Sequence, residues 1–188
     1  MTGKLIIFAA PSGSGKTTIV KHLLDLGLNL SFSISATTRA KRDNEIDGVD
    51  YFFLTKEAFQ AKVKENAFLE WEEVYEGTYY GTLKTEVDKE LAQGKNILFD
   101  IDVKGALNIK KIYGNQALAL FVKPPSIEIL EERLRIRNTE SEETFKTRIG
   151  KAAFELNFED QFDITIINEN IEEAREEARL IIENFISA

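Results

Sequence analysis

Several residue types are missing or scarce in this chain, and each shortage excludes a class of protein. The 188 residues include no cysteine, which excludes a disulfide framework and any cysteine-based zinc site. Lysine and arginine (24) are outnumbered by aspartate and glutamate (32), and the net charge of −8 argues against a surface that binds duplex DNA. An anionic ligand must therefore meet local positive clusters.

Long apolar runs are also missing. No stretch approaches the roughly 18 apolar residues that a membrane span needs, and the chain starts without the basic, apolar pattern of a secretory leader. The sequence contains no internal repeat and no low-complexity tract. We therefore expect a cytoplasmic protein that has neither a membrane nor a nucleic acid as its partner.

The apolar residues, 43% of the chain, are sufficient for one domain with a large core. Strand-like and helical patterns alternate, which predicts an α/β fold with a mostly parallel sheet flanked by helices. Strands are predicted at residues 4–9, 32–36, 96–101, 117–122 and 164–168. Helices are predicted at residues 17–26, 56–66, 85–93, 104–112, 126–137, 142–158 and 171–186.

Two segments fall outside this alternation. Residues 50–81 are rich in aromatic side chains and mix short strand patterns with one helix, which indicates an insertion. Residues 133–148 are charged, poor in apolar side chains and helical on both sides of a turn predicted at Asn138 and Thr139. This second pattern is typical of a lid.

A phosphate-binding loop follows the first predicted strand and leads into an apolar helical pattern. Glycines at 13 and 15 let backbone N–H groups turn toward phosphate oxygens, Lys16 supplies a cation, and Thr17 offers a hydroxyl to Mg²⁺. The first glycine of the usual pattern is Ala10 here, which a strand end tolerates because alanine excludes only positive φ angles. The residues predicted to cradle phosphates are Ala10, Pro11, Ser12, Gly13, Ser14, Gly15, Lys16, Thr17 and Thr18.

A second basic cluster, Arg39 and Arg42, follows a strand that ends in serine and threonine. Arginine suits bidentate contact with oxyanions, so one interpretation is a second phosphate site. The alternative is a solvated basic turn, which is the better interpretation of such a cluster in isolation. The nucleotide loop elsewhere in the chain favours the phosphate site.

Together these motifs resemble the guanylate kinases, enzymes that move a phosphoryl group from ATP to GMP. The matching segments run in family order along essentially the whole chain: APSGSGKTT at 10–18, SFSISATTR at 31–39 with Arg42, GVDYFF at 48–53, FLEW at 68–71, YYGT at 79–82, ILFDID at 97–102, Pro124-Pro125-Ser126, RLRIRNTESEE at 133–143 and IINEN at 166–170. The resemblance implies a P-loop NTPase-type parallel sheet with an α+β GMP-binding insertion and a helical lid. It divides the single domain into a core (about 1–34, 83–125 and 160–188), a GMP-binding region (about 35–82) and a lid (about 126–159).

The resemblance also implies roles toward GMP. The residues implied for its phosphate are Arg39, Arg42, Tyr51 and Tyr80, and those implied for its guanine base are Ser35, Glu70, Thr82 and Asp102. A carboxylate suits guanine because one carboxylate accepts the N1–H and the N2 amine together, whereas adenine offers an acceptor at N1. Without the resemblance, a surface carboxylate beside a core tryptophan is the better interpretation of Glu70.

Asp100 and Asp102 follow an apolar run, at the carboxyl end of a predicted strand, where α/β sheets bind ligands. One of the two is expected to contact guanine in GMP and the other to order the waters of Mg²⁺, and the family pattern favours Asp102 for guanine. The sequence leaves this division open. A helix cap is the alternative for Asp100.

The resemblance assigns Lys16, Arg133, Arg137 and Arg148 to the ATP phosphates and the transferring group, with Mg²⁺ as the cofactor. Asn168 is expected near the adenine of ATP, with a turn cap as an equal alternative. A salt-bridged surface helix is the alternative for the lid arginines, since glutamates surround them.

Two other functions remain open on sequence grounds. A kinase for another small phosphate would share the loop and the lid, but it would not need Ser35, Glu70 and Asp102 together. A binding module of the guanylate-kinase type would keep the GMP-site fold and lose the ATP loop, which is present here. The expected partners are ATP and GMP, and the chain is expected to be a monomer or a homodimer.

Overall fold

A computed structural model describes residues 3–136 and 142–188, apart from the side chains of residues 75 and 142–144. Contacts divide the chain into two units, one built mainly from Ser31–Ile97 and the other from Leu5–Leu30 with Leu98–Ala188. The segment from Arg39 to Glu45, called the arginine turn below, falls in the first unit and the phosphate loop in the second. Arg137 and the turn predicted at residues 138–139 lie outside the described residues.

The strands of the described residues are β1 (Leu5–Ala9), β2 (Leu30–Phe32), β3 (Ala36–Thr37), β4 (Phe52–Phe53), β5 (Phe68–Tyr75), β6 (Thr78–Leu83), β7 (Asn96–Asp100), β8 (Ala117–Lys123) and β9 (Ile164–Ile167). The helices are α1 (Lys16–Asp25), α2 (Lys56–Lys64), α3 (Lys84–Ala92), α4 (Val103–Tyr113), α5 (Ile127–Ile136), α6 (Glu142–Leu156) and α7 (Ile171–Ser187). Each predicted helix is present with its ends shifted by at most two residues.

Five strands form one sheet with the order β2-β7-β1-β8-β9. β1 pairs with β8, and β8 with β9, in parallel. All of β1 is buried, and so are the first six residues of β8, as expected of parallel strands covered on both faces. The predicted α/β fold with a parallel sheet is confirmed.

Helices α1 and α7 cover this sheet through apolar side chains at helical spacing. Ile19 and Leu23 from α1 share one core cluster with Ala178 and Ile182 from α7. The side chain of Asn170 caps the first turn of α7 by accepting the amide N–H of Glu172, at 2.9 Å. The phosphate loop is thus held between a buried strand and a helix packed on the sheet.

The first unit contains a mixed four-stranded sheet with the order β4-β3-β6-β5. β3 pairs with β4 in parallel and with β6 antiparallel, and β6 pairs antiparallel with β5. Its core is aromatic, since Phe59 stacks on Phe68 with ring centroids 4.4 Å apart and on Tyr79 at 5.6 Å. The expected mixture of short strands and one helix in the aromatic segment is confirmed.

One predicted strand was wrong. Residues 32–36 do not form a single strand, because β2 ends at Phe32 in the five-stranded sheet and β3 begins at Ala36 in the four-stranded sheet. The carbonyl of Ser35, between them, accepts the amide N–H of Phe52 at 3.0 Å. Alternating apolar and polar residues predict an extended chain, but they do not indicate at which residue that chain leaves one sheet for another.

Helices α5 and α6 pack on each other through a small apolar cluster. Leu130 and Leu134 from α5 meet Ala152 from α6 in this cluster. In the part of the chain that the structure describes, none of the helices is long and apolar enough to cross a membrane.

Candidate active site

The phosphate loop has the backbone that its glycines predict. Gly13 and Gly15 have φ angles of 95° and 92°, in the left-handed region that favours glycine. A Cβ on Gly13 would lie 3.0 Å from Leu134, and one on Gly15 would collide with the side-chain amide of Asn168. Gly15 directly precedes helix α1, whose first N–H groups carry the partial positive charge of a helix N-terminus. The loop therefore has the backbone expected of an anion site, and a larger residue at either glycine would be strained.

Lys16 and Thr17, the first residues of α1, meet Asp100 at the end of β7. The Lys16 ammonium lies 2.5 Å from Oδ1 of Asp100 and donates to the carbonyl of Ile101 at 2.8 Å. The Thr17 hydroxyl donates to Oδ2 of Asp100, at 3.1 Å. The carboxylate of Asp100 thus contacts the side chains of both Lys16 and Thr17.

Asn168, which follows β9, supports the loop by a side-chain hydrogen bond to its backbone. Its side chain is 3% exposed and its amide donates to the carbonyl of Ser14 at 2.6 Å. Its own backbone N–H donates to the carbonyl of Lys123 at 2.8 Å, which fixes it to the end of β8. Two buried oxygens beside this bond, Oγ of Ser14 and Oδ1 of Asn168, have no hydrogen-bond partner among the described residues.

Two of the predicted lid arginines, on α5 and α6, contact the loop or the residue that supports it. Arg133 donates to the carbonyl of Asn168 at 3.0 Å, and Arg148 donates to the hydroxyl of Ser12 at 3.0 Å. Arg135 instead lies 4.2 Å from the ring centroid of Phe145. This matches the expectation that residues 133 and 135 point in different directions on one helix.

Arg39, in the first unit, is surrounded by aromatic rings and one carboxylate. Its guanidinium lies 5.3 Å from the ring centroid of Tyr51 and 5.7 Å from that of Phe53. Tyr51 in turn makes an edge contact with Tyr80, with centroids 5.9 Å apart. Glu45 binds the guanidinium with both carboxylate oxygens, at 2.9 and 2.7 Å. The structure thus brings together three of the four residues implied for the GMP phosphate, while the side chain of the fourth, Arg42, is exposed.

Glu70 and Thr82 face each other across the β5–β6 pair, in register. The Thr82 hydroxyl donates to Oε1 of Glu70 at 2.6 Å, and the two side chains are buried, with exposures of 1% and 8% respectively. Burial excludes the interpretation of Glu70 as a surface carboxylate. Ser35 is half-buried, one residue before β3.

Proteins similar to this chain include guanylate kinases. The family model described as guanylate kinase matches residues 2–185. A guanylate kinase of Bacteroides thetaiotaomicron is 54% identical over 187 residues, which cover 100% of this chain and 92% of that protein. One from Chlorobium chlorochromatii is 49% identical and covers 98% of this chain and 97% of that protein. The crystal structure of guanylate kinase from Anaplasma phagocytophilum superimposes with a TM-score of 0.78 at 28% identity, covering 100% of this chain and 88% of that one.

The chain belongs to the guanylate kinase family. The known reaction of this family is phosphoryl transfer from ATP to GMP, so the predicted family, enzyme class and reaction are confirmed.

The two aspartates of this guanylate kinase sequence have different surroundings. Asp100 contacts Lys16 and Thr17, whereas Asp102 lies beyond the strand and caps α4. Oδ1 of Asp102 accepts the amide N–H groups of Lys104 and Gly105, at 2.8 and 3.1 Å. The cap that was the alternative for Asp100 is therefore made by Asp102.

Sequence reasoning missed two features of the site. The hydrogen bond from Asn168 to Ser14 joins residues far apart in the chain, and no local pattern predicts it. Glu45 is close to Arg39 in sequence, and an acid shortly after two arginines is a signal that was available. An acid at this position is only a weak signal, because spacing within a loop does not determine which side chains form an ion pair.

Proposed function

We propose that this chain transfers the γ-phosphoryl group of ATP directly to a phosphate oxygen of GMP, giving ADP and GDP. The observation that carries the proposal is that one guanylate kinase chain contains two unlike side-chain clusters suited to phosphates. One is the glycine loop with Lys16, and the other is the cluster of Arg39 with Tyr51 and Tyr80. A kinase needs both, because its donor and its acceptor are each anionic.

On the donor side, Lys16 and the loop amides are proposed to bind the ATP phosphates, and Arg133 and Arg148 to stabilise charge on the transferring group. Arg137 shares this proposed role and lies outside the described residues. The hydrogen bonds of Arg133 and Arg148 to the carbonyl of Asn168 and the hydroxyl of Ser12 support the proposal, because these weak neutral acceptors are readily exchanged for phosphate oxygens. For Asn168, proximity to adenine stays a prediction.

Mg²⁺, proposed to bind with ATP, suits the oxygen atoms at the loop. The Thr17 hydroxyl donates its hydrogen to Asp100, which leaves the lone pairs of the hydroxyl oxygen for a cation. A hydroxyl and a carboxylate are the hard oxygen ligands that Mg²⁺ prefers, and Asp100 can hold one of its waters. When bound, the ion neutralises charge on the ATP phosphates.

On the acceptor side, Arg39, Arg42, Tyr51 and Tyr80 are proposed to hold the GMP phosphate. Glu70, with Thr82 and Ser35, is proposed to read the guanine base. Support comes from the burial of Glu70, because a buried carboxylate selects the two adjacent donors of guanine and is left facing a lone pair by adenine. Sites of this kind reject the wrong analogue by about 10⁴-fold or more. Asp102 is proposed as a further guanine ligand, and its role rests on the family resemblance alone.

The chemistry proposed is an in-line transfer with no covalent enzyme intermediate. The attacking oxygen of GMP is already anionic at neutral pH, so no general base is needed. The protein's task is to position two polyanions and to stabilise the charge that spreads over the transferring group. Closure of α5 and α6 as a lid would exclude water, which otherwise would accept the phosphoryl group.

The finer assignments are proposals of the same kind. We propose that the chain also accepts dGMP, because none of the implied base contacts involves the ribose hydroxyls. Purine nucleotide metabolism in the cytoplasm is the proposed setting, with the protein acting as a monomer or homodimer. The division into a core, a GMP-binding region at residues 35–82 and a lid at 126–159 stays a prediction.

The test is Mg²⁺-dependent ADP production from ATP, with GMP, dGMP, AMP, UMP, CMP or ribose 1,5-bisphosphate offered one at a time. Turnover confined to GMP and dGMP is expected. Turnover with another acceptor would contradict the assigned base site. A folded chain that binds GMP and transfers nothing would instead be a binding module.

A further inference from the structure

Arg39 has a partner to which the family resemblance assigned no role. The carboxylate of Glu45 accepts Nη1 of Arg39 on one oxygen at 2.9 Å and Nη2 on the other at 2.7 Å. This is a bidentate pair, and both side chains are largely shielded from water, with exposures of 21% for Arg39 and 11% for Glu45. An exposed, single-point surface pair would have little energetic weight, whereas a bidentate arginine–carboxylate pair fixes an orientation.

The donors of Arg39 are divided between two edges of its guanidinium. Of the five N–H groups of an arginine, Nη1 uses its two on Glu45 and on the carbonyl of Ala40, and Nη2 uses one on Glu45. The groups that make none of these bonds are the Nε–H and the second N–H of Nη2, and Tyr80 is a further hydrogen-bond partner of the same side chain. These two lie side by side on the edge of the guanidinium that Glu45 does not cover, and such an edge can donate to two oxygens of one phosphate.

The plane of the guanidinium is fixed as well as its rotation. Tyr51 and Phe53 lie against Arg39 with centroid distances of 5.3 and 5.7 Å, so rings and carboxylate together leave one orientation. Glu45 raises the pKa of Arg39 most, Tyr80 raises it less, and burial opposes both. Tyr80 is itself implied in phosphate binding, which indicates that the phosphate side of Arg39 is the side of Tyr80.

Glu45 is itself held by the backbone of the same turn. Oε2 of Glu45 accepts the amide N–H of Arg42 at 2.8 Å, and the amide N–H of Glu45 donates to the carbonyl of Arg42 at 3.1 Å. The ammonium of Lys41 donates to the carbonyl of Glu45 at 2.9 Å. Arg39 and then the Arg42 amide lower the pKa of Glu45 to about 2, so the carboxylate is ionised at neutral pH.

From this arrangement we infer that Glu45 is a positioning residue for the GMP phosphate, which it serves by fixing Arg39 and without touching the substrate. The inference deepens the proposed function and rests on it. It gives Arg39 a preorganised Nε–Nη2 edge, so that binding the phosphate does not have to order a flexible side chain. It also adds a carboxylate to a site whose ligand is an anion.

Because Glu45 carries a negative charge, the direction of the change in GMP binding when that charge is removed tests the inference. If Glu45 acted only through its charge, removing that charge would strengthen GMP binding, because the carboxylate repels a phosphate dianion. If Glu45 positions Arg39, removing it weakens GMP binding. The two roles therefore predict opposite changes in the KM for GMP.

The experiment uses the full chain, with initial rates measured against GMP at saturating ATP and against ATP at saturating GMP. Glu45→Gln is expected to raise the KM for GMP by about 10-fold and to change the KM for ATP by less than about 2-fold. Glu45→Asp keeps the charge but withdraws the carboxylate by one methylene, and it is expected to raise the KM for GMP as well. Asp43→Asn, an exposed acid in the same turn, is the matched control for the loss of charge, and no rise is expected from it.

A double-mutant cycle shows whether Glu45 acts through Arg39. In an Arg39→Ala background, Glu45→Gln is expected to have almost no further effect on GMP binding, measured by calorimetry. A full effect of Glu45→Gln in that background would overturn the inference, as would an unchanged or lowered KM in the single variant. A wild-type chain that neither binds nor phosphorylates GMP would overturn the proposed function and the inference together. A wild-type chain that phosphorylates GMP, with a Glu45→Gln variant that binds GMP equally well, would overturn the inference alone.

Discussion

The phosphate loop and the arginine turn both pair a cation with a carboxylate, but different kinds of structure hold the two pairs. Lys16 of the loop meets Asp100, 84 positions along the chain, which the central sheet holds at the end of β7. Arg39 of the turn meets Glu45, only six residues further along the same segment. The first pair depends on the fold of the sheet, and the second needs only a local turn.

This difference indicates how each region responds to substitution. The loop is packed under Leu130 and Leu134 and is braced by Asn168, so changes there are expected to lower activity and stability together. The arginine turn lies in a largely exposed segment, so changes there are expected to weaken GMP binding while leaving the free energy of unfolding nearly unchanged. Four tests, in order of expected effect, can break or sharpen this comparison.

Lys16→Ala is expected to have the largest effect. The loop would lose the cation that stabilises the transferring phosphoryl group, and kcat should fall by about 10³-fold. GMP binding, measured by calorimetry, should be retained, because the arginine turn is unchanged. Lys89→Ala, which removes the same charge from an exposed position of α3, is the control. Turnover that survived the loss of Lys16 would contradict its assigned role.

Glu70→Gln is expected to raise the KM for GMP by about 10²-fold, since the amide can no longer accept both donors of guanine. The KM for ATP should stay within about 2-fold of the wild-type value. Glu76→Gln, at an exposed turn between β5 and β6, is the control. If ATP and GMP were weakened equally, Glu70 would be a structural residue and the base site would have to be assigned elsewhere.

Gly15→Ala and Gly27→Ala form a matched pair for the stability of the loop. Both glycines have positive φ angles, 92° and 70°, but a Cβ on Gly27 would meet nothing within 4 Å. The Gly27 variant therefore measures backbone strain alone, about 1 kcal/mol of unfolding free energy. A Cβ on Gly15 also collides with Asn168, and a loss of about 3 kcal/mol is expected from chemical denaturation. Equal losses would show that Asn168 does not brace the loop.

Asp102 allows the smallest test, because a helix cap and a base contact respond to different substitutions. Asp102→Ala removes the cap of α4 and should cost about 1 kcal/mol of unfolding free energy. Asp102→Asn keeps a side-chain oxygen for the two amides, so stability should be nearly unchanged while GMP binding weakens. GMP binding that is insensitive to Asp102→Asn would leave this residue with the cap alone.

The helices and four of the five strands of the five-stranded sheet could be predicted from the sequence, because apolar spacing reports directly on which side of an element is buried. The loop from Ala10 to Thr18 was equally accessible, since its glycines and lysine occupy a recognisable order between a strand and a helix. Prediction failed for residues 32–36, where one extended segment contributes to two sheets. Glu70 could not be identified as buried from its own position, because its burial follows from the pairing of β5 with β6.

The sequence by itself determined the α/β class, the nucleotide loop and the membership in the guanylate kinase family, since these depend on spacing and residue order along the chain. Only the tertiary structure decided that Asp100 meets Lys16, that Asn168 supports Ser14, and that Asp102 caps a helix. The physical reason is that periodicity acts over a few neighbouring residues, whereas the partner of a polar side chain depends on which strand ends the sheet brings side by side.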